Sequence, residues 1–325
     1  MDTIHDLITA SPVARALNII GDRWSLLILR DVFLGRHRFE ELCEHTGAPR
    51  GTLTKRLQSL VSDGVLYRNP YRNTRTRFEY RLTDKGLDLY PWALAIWHWE
   101  QRWGGGDKAM DLPALLTHRN CGQALIPLYC CGQCHEVLRP RDIRYVAGPG
   151  AKNAESALIL GNQRLARTRP GERRGVDSSL FHVTDIIGDR RTALVVSGAF
   201  WGLRRFGDFQ EKLSIATNVL TDRLKRLVDA GIFVRQRYQD SPPRYEYRAT
   251  DKANDLYPIV LSLHQWGSRW LQDESAVLVL IHKCGAEAFT VNTVCNHCKQ
   301  ELNPGDVNFN ARDGEPVEKD EANAS

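Results

Sequence analysis

One fifteen-residue stretch occurs twice in this chain: RFEYRLTDKGLDLYP at 77–91 returns as RYEYRATDKANDLYP at 244–258, with four differences. Displaced by 167 residues, Gly21–Trp103 lies on Gly188–Trp270 without a gap, and roughly 40% of those positions are identical. A fainter echo follows at an offset of 164, where His118, Cys131, Cys134, Leu138, Pro140 and Asp142 recur as His282, Cys295, Cys298, Leu302, Pro304 and Asp306. The chain is therefore two copies of a unit of roughly 130 residues, a folded body and a cysteine-bearing tail. A length of 325 residues accommodates a core for each copy.

Within the first copy, Ala14, Leu17 and Ile20 form a short helical stripe stopped by Gly21. WSLLILRDVFLG is a strongly apolar helix ending at Gly35, and RFEELCEHTG a third ending at Gly47. In RGTLTKRLQSLVSDG, Leu53, Leu57, Leu60 and Val61 share one helical face. VLYRNPYRNTRTRFEYRL reads as two strands around a turn. Thr83 and Asp84 then cap a last helix, which Pro91 is expected to kink early. Three helices, a tight turn, a fourth helix, a hairpin and a closing helix make a winged helix-turn-helix. The fold class expected is mainly α with small β wings (α+β), in two tandem winged helix-turn-helix domains. A short zinc-ribbon-like β-hairpin segment follows each.

The boundaries expected are a first winged domain at 11–105 with a Cys/His hairpin at 115–145, and a Gly-, Pro- and Arg-rich linker at 146–177. A second winged domain at 178–272, a second hairpin at 277–310 and a disordered acidic tail at 311–325 complete the chain.

The elements GDRW, RF-EL, L-RL--L---G and YEY-LT-KG, in that order across 14–103, resemble the HxlR-type winged-helix regulators of bacteria. Residues 181–270 match nearly as well, with Arg191 at the place of Trp24. The resemblance implies a sequence-specific transcriptional regulator that binds double-stranded DNA, in a bacterial, nucleoid-associated setting. Relatives of this kind pair through their first and last helices. Here the two copies are expected to pack on each other as an intramolecular pseudo-dimer, with a homodimer of chains as the alternative. Some relatives carry a reactive cysteine before the first helix; Ser11 and Ser178 stand there instead, so that thiol switch does not transfer.

The fourth helix is the one placed in the major groove. Its apolar face is unchanged between copies, with Leu220, Leu224, Leu227 and Val228 in the second. Its opposite face keeps none of six residues: Gly51, Thr52, Lys55, Gln58, Ser59 and Ser62 become Asn218, Val219, Asp222, Lys225, Arg226 and Asp229. Segment 50–81 carries a net charge of +6 against +3 for 217–248, which ranks the first copy as the stronger phosphate binder. The expected DNA contacts are Arg50, Thr52, Lys55 and Ser59, the wing residues Arg72, Arg75 and Arg77, and in the second copy Asn218, Lys225, Arg226, Arg237 and Arg244. Arg56 and Arg223, shared and close to the apolar face, read as structural or phosphate-clamping. A last-helix stripe of Leu89, Trp92, Ile96, Trp99 and Trp103 recurs as Leu256, Ile259, Leu263, Trp266 and Trp270, either as plain core or as the seam between copies.

The tails give His118, Cys121, Cys131 and Cys134, then His282, Cys284, Cys295 and Cys298, each set expected to close on itself around one structural zinc. Reduced metal-free thiols and redox pairing are the other readings, with Cys130, His135 and His297 as substitute ligands. Ten or so residues between ligand pairs is short for a zinc ribbon, and His282-x-Cys284 would put its side chains on opposite faces of a strand. Eight cysteines without a secretion signal argue against a disulfide framework. With no apolar run near eighteen residues, a membrane partner is not expected and the location read is cytoplasmic. No Gly-rich phosphate loop, catalytic triad or paired-carboxylate motif emerges, so the chain is read as not an enzyme. The alternatives to a regulator are a protein–protein module with degenerate DNA-binding domains and, behind it, a zinc or thiol enzyme. No residues single out an effector pocket.

Overall fold

The computed structural model describes residues 4–70, 78–104, 112–113, 115–153, 183, 185–186, 188–271, 276–287 and 289–310. Residues 154–177 of the expected linker, the acidic tail and Ser178 lie outside them, as do Arg72, Arg75 and Arg77; the first residues assigned to the linker instead finish a strand, Ile143–Ala147, and form a short 3-10 turn, Pro149–Asn153.

The first half runs α1 (Ile4–Thr9), α2 (Pro12–Ile20), α3 (Arg23–Phe33), α4 (Phe39–Thr46), α5 (Arg50–Ser62), β1 (Leu66–Pro70), β2 (Phe78–Leu82), α6 (Asp84–Leu87) and α7 (Tyr90–Trp103). Its tail holds β3 (Leu115–His118), β4 (Pro127–Cys131) and β5 (Ile143–Ala147). The second half follows with α8 (Arg190–Phe200), α9 (Phe206–Leu213), α10 (Thr217–Asp229), β6 (Phe233–Gln239), β7 (Arg244–Ala249), α11 (Asp251–Asn254), α12 (Tyr257–Trp270), β8 (Leu278–His282), β9 (Val291–Cys295) and β10 (Val307–Asn310). The wings are the antiparallel pairs β1–β2 and β6–β7. Helix α4 stops at Gly47, whose left-handed φ of 62° lets the chain turn into α5.

Pro91 does not kink the last helix. Thr83 accepts from the Gly86 N–H to cap the single turn of α6, and Pro91 then sits in the first turn of α7, where its missing N–H costs nothing. Thr250 and Pro258 repeat this arrangement.

The two halves share one connected apolar core that includes both bodies and both tails. Their contacts come in matched pairs. The indole N–H of Trp99 donates to the carbonyl of Lys252 at 3.0 Å, and that of Trp266 to the carbonyl of Lys85 at 2.7 Å. Trp103 donates to Asp255 at 2.8 Å, and Trp270 to Asp88 at 2.7 Å. Arg102 pairs with Asp255 at 3.2 Å and Arg269 with Asp88 at 2.9 Å. The lysine ammoniums of 85 and 252 lie over the opposite rings, 5.5 Å from Trp266 and 5.3 Å from Trp99. In addition Asp22 and Asp189 form an antiparallel bridge where the two GDR turns meet. The twice-written stretch thus supplies the acceptors, and the last helix the donors, of a reciprocal clasp.

The tails depart from expectation. Neither closes as a hairpin on itself; every tail strand pairs with a strand of the other tail, β3 with β10, β4 with β9 and β5 with β8. The registers are symmetric: Val307 faces His118 as Ile143 faces His282, and Tyr129 faces its own counterpart Thr293. The cause is local. Each ligand pair sits in a tight reversal closed by one bridge, Thr117 with Ala124 and Cys130 with Val137 in the first tail, Ile281 with Glu287 and Val294 with Glu301 in the second. Such short reversals leave the long strand edges unpaired within their own tail, and an unpaired edge seeks a partner.

Candidate nucleic-acid interface and metal clusters

Helix α5 buries Leu53, Leu57 and Leu60 and keeps Val61 half-buried; α10 does the same with Leu220, Leu224, Leu227 and Val228. The faces turned away from the core are the ones whose residues differ between copies. Lys55, Gln58, Ser59 and Ser62 are exposed and Thr52 half-buried. In α10, Asn218, Lys225, Arg226 and Asp229 are exposed and Val219 and Asp222 half-buried.

Arg56 and Arg223 do not join these faces. Arg56 reaches back to Asp22 at 3.3 Å, and the buried Arg223 pairs with Asp189. The same Asp22 carboxylate caps α3, accepting from the N–H groups of Trp24 and Ser25 at 3.1 and 3.2 Å. Each fourth helix is therefore tied by a buried or half-buried arginine to the aspartate at which the halves meet. The sequence signal was available, since both residues are retained in both copies.

The other basic groups differ in how they are engaged. Arg50 forms a two-point pair with Glu40 of α4, at 2.6 and 2.7 Å, and that exposed bond holds the Glu40 carboxyl below its usual range. Sequence reasoning did not single out Glu40. Asp222 is flanked by Arg223 and by Arg226 at 3.0 Å, so its charge is met within the helix instead of facing phosphate alone. At the second wing, Arg237 binds Asp240 at 3.1 Å, Arg235 stacks 3.6 Å over Tyr245, and Arg244 is exposed.

The eight expected metal ligands do converge, but in two crossed sets. His118 and Cys121 meet Cys295 and Cys298, while Cys131 and Cys134 meet His282 and Cys284; within each set all ligand atoms lie within 4.8 Å of one another. The sulfurs of Cys121 and Cys298 stand 3.4 and 3.3 Å from His118 Nδ1, and Cys121 is 3.9 Å from Cys295. In the other set, Cys134 and Cys284 stand 3.5 and 3.1 Å from His282 Nδ1. A tetrahedral ion about 2.3 Å from each sulfur needs ligand atoms roughly 3.5–3.8 Å apart, so the donor set suits one. Both histidines are buried and turn Nδ1 to the cluster. The two objections raised by spacing disappear once the sets cross. The gap between ligand pairs bridges two clusters rather than folding into one, and Cys284 lies beyond the end of β8, in a turn with Gly285 at φ +87°, not on a strand. Cys295 is drawn into the same local geometry: desolvation raises its thiol, but N–H groups of Cys298 and His297 outweigh this and lower it. Cys130, His135 and His297 join neither cluster among the described residues. Cys43 packs in α4 and contacts the Ala48 carbonyl at 3.6 Å.

No helix among the described residues is long and apolar enough to cross a membrane. Comparison with known proteins places the chain. It is similar to the uncharacterized HTH-type transcriptional regulators Mb3122 of Mycobacterium bovis and Rv3095 of Mycobacterium tuberculosis, each 39% identical over 144 residues, 43% of this chain and 87% of theirs. A Synechocystis regulator is 36% identical over 101 residues, 31% of this chain and 75% of its own. The solved structure of PA1374 from Pseudomonas aeruginosa is 31% identical, covering 37% of this chain and 73% of that one, with a TM-score of 0.24. The model of the HxlR-like helix-turn-helix family matches residues 19–108 and again 186–275, and the chain belongs to that family, with two of its domains in tandem.

Proposed function

We propose that this chain is a transcriptional regulator that binds double-stranded DNA as an intramolecular pseudo-dimer, with α5 and α10 as two unlike reading helices. The observation that carries the reading is the reciprocal clasp between halves, in which Trp99, Trp103, Trp266 and Trp270 each donate to the opposite copy. A two-fold arrangement of winged domains is what inverted half-sites require. Covalent linkage keeps the partner domain at high effective concentration. The DNA-facing residues are Arg50, Thr52, Lys55 and Ser59 with the wing arginines 72, 75 and 77, and Asn218, Lys225, Arg226, Arg237 and Arg244 in the second half.

Zinc is the ion that three thiolates and an imidazole best fit, and its role here is structural. His118, Cys121, Cys295 and Cys298 would hold one ion, and Cys131, Cys134, His282 and Cys284 the other. Each would bind a ligand pair from either half to the other, reinforcing the strand pairing that already joins the tails.

The test is a titration with DNA from upstream of the protein's own gene against random duplex. Specific binding with a steep negative salt slope is expected, as phosphate neutralisation releases counterions. Lys55→Ala should weaken binding more than Lys225→Ala. Equal affinity for both duplexes would move the reading to a protein–protein module.

A further inference from the structure

The two reading helices begin differently, and the difference lies in one exposed pair. Arg50, the first residue of α5, donates to Glu40 of α4 through Nη1 to Oε2 at 2.6 Å and Nη2 to Oε1 at 2.7 Å. Its guanidinium also lies over the Phe39 ring, 5.0 Å from the centroid. The second half keeps the ring, as Phe206, but has Gly207 for Glu40 and Thr217 for Arg50. An uncharged contact takes the place of the ion pair there, from the Gln210 amide to the Thr217 hydroxyl at 2.8 Å. Packing does not demand the glycine, since a Cβ at Gly207 would meet nothing within 4 Å.

Stability does not account for the pair. The side chains of Arg50 and Glu40 are 65% and 72% exposed, and an ion pair in water adds little to folding. What the contacts do is hold a long side chain to one geometry, by the carboxylate at one edge and the ring on one face. The place matters, because a helix in the major groove meets base edges with its first residues. A guanidinium has five N–H groups and Glu40 takes two. The Nε–H and a neighbouring Nη–H remain as a fork of the kind that reads guanine N7 and O6. An arginine held beforehand loses less freedom on binding. The carboxylate has a second effect: it weakens attraction to phosphate whatever the sequence, which holds down binding to random DNA.

We propose that Glu40 is a specificity-determining positioning residue, holding Arg50 for two-point contact with one guanine in the half-site read by α5. The second half, with Gly207 and Thr217, lacks both groups. This role rests on α5 being a reading helix.

The experiment uses the full chain and duplexes carrying the sequence upstream of its own gene, with the protected region randomised and the bound fraction sequenced. The unaltered chain should prefer guanine at one position of the α5 half-site by at least tenfold. Arg50→Lys keeps the charge but not the fork, and should lose that preference while other positions keep theirs. Glu40→Gln should reduce it at least threefold at the same position. The same variant should bind random duplex more tightly, since a negative charge beside the DNA backbone has gone. A merely structural role for Glu40 would weaken both kinds of binding. Added to Arg50→Lys, Glu40→Gln should change base preference no further. An unchanged guanine preference in Glu40→Gln, weaker binding of that variant to random duplex, or no position that responds to Arg50→Lys would overturn the proposal and leave the regulator reading standing. No sequence preference at all in the unaltered chain would overturn both.

Discussion

Glu100 and Gly267 occupy the same place in the two last helices, and their neighbours explain why they differ. A side chain at Gly267 would put Cβ 2.3 Å from the Pro12 carbonyl oxygen, so α2 packs there against bare backbone. Glu100 is 1% exposed and accepts from the Val183 N–H at 2.9 Å. Desolvation pushes its carboxyl up to about 8, against only partial relief from that hydrogen bond. Between the unfolded value near 4.5 and about 8, the folded chain keeps a proton that the unfolded chain releases. Stability contributed by this group is thus present at low pH and lost as pH rises through that window. Glu100→Gln keeps the shape and ends the titration. Urea unfolding should show the variant close to the parent at pH 4 and gaining on it as pH rises, by on the order of 3 kcal/mol between pH 5 and pH 8. A difference that stays constant with pH would show that Glu100 is not the group responsible. The sequence exposed the position, through the mismatch between copies. It could not show the partner, because Val183 lies 83 residues away and only packing brings it near.

At the level of elements, the winged domains were legible because periodicity and punctuation are local. Leu53, Leu57 and Leu60 mark their face by spacing alone, and Gly47 marks its turn by a φ that other residues adopt at a cost. The tails were legible as ligand pairs and not as pairings. Each pair is a property of three or four consecutive residues, whereas the choice of partner strand is decided by the contact between halves. Crossed and self-closed clusters make opposite predictions for metal content. Removing Cys131, Cys134, His282 and Cys284 together, by serine and alanine, should leave one zinc per chain by mass spectrometry, because the set holding His118 is intact. Removing His118, Cys121, Cys131 and Cys134 should leave none, although one complete tail remains. Self-closed tails would give the reverse. Less than a tenth of an equivalent per site in the unaltered chain would remove zinc from the account.

For the molecule as a whole, the retained residues and the altered ones divide by what they touch. Asp22, Arg56, Lys85, Asp88, Trp99 and Trp103 have identical counterparts, and all of them work at or toward the junction between halves. The exposed faces of α5 and α10 touch nothing within the chain that both copies need, and none of their six positions is kept. A scaffold held symmetric while its readers diverge should recognise an operator whose two halves are unlike. Placing the α5 residues Gly, Thr, Lys, Gln, Ser and Ser at 218, 219, 222, 225, 226 and 229 tests this directly. Arg223 keeps its Asp189 partner in that variant, so the helix remains anchored while Asp222 and Arg226 leave together. Footprinting should then show the unaltered chain protecting two dissimilar half-sites. The variant should prefer a perfect inverted repeat of the half-site read by α5 by at least tenfold, since a single mismatched contact typically costs 1–3 kcal/mol. Retention of the original preference would mean that α10 makes no base contacts and that the second domain serves the first as a partner alone.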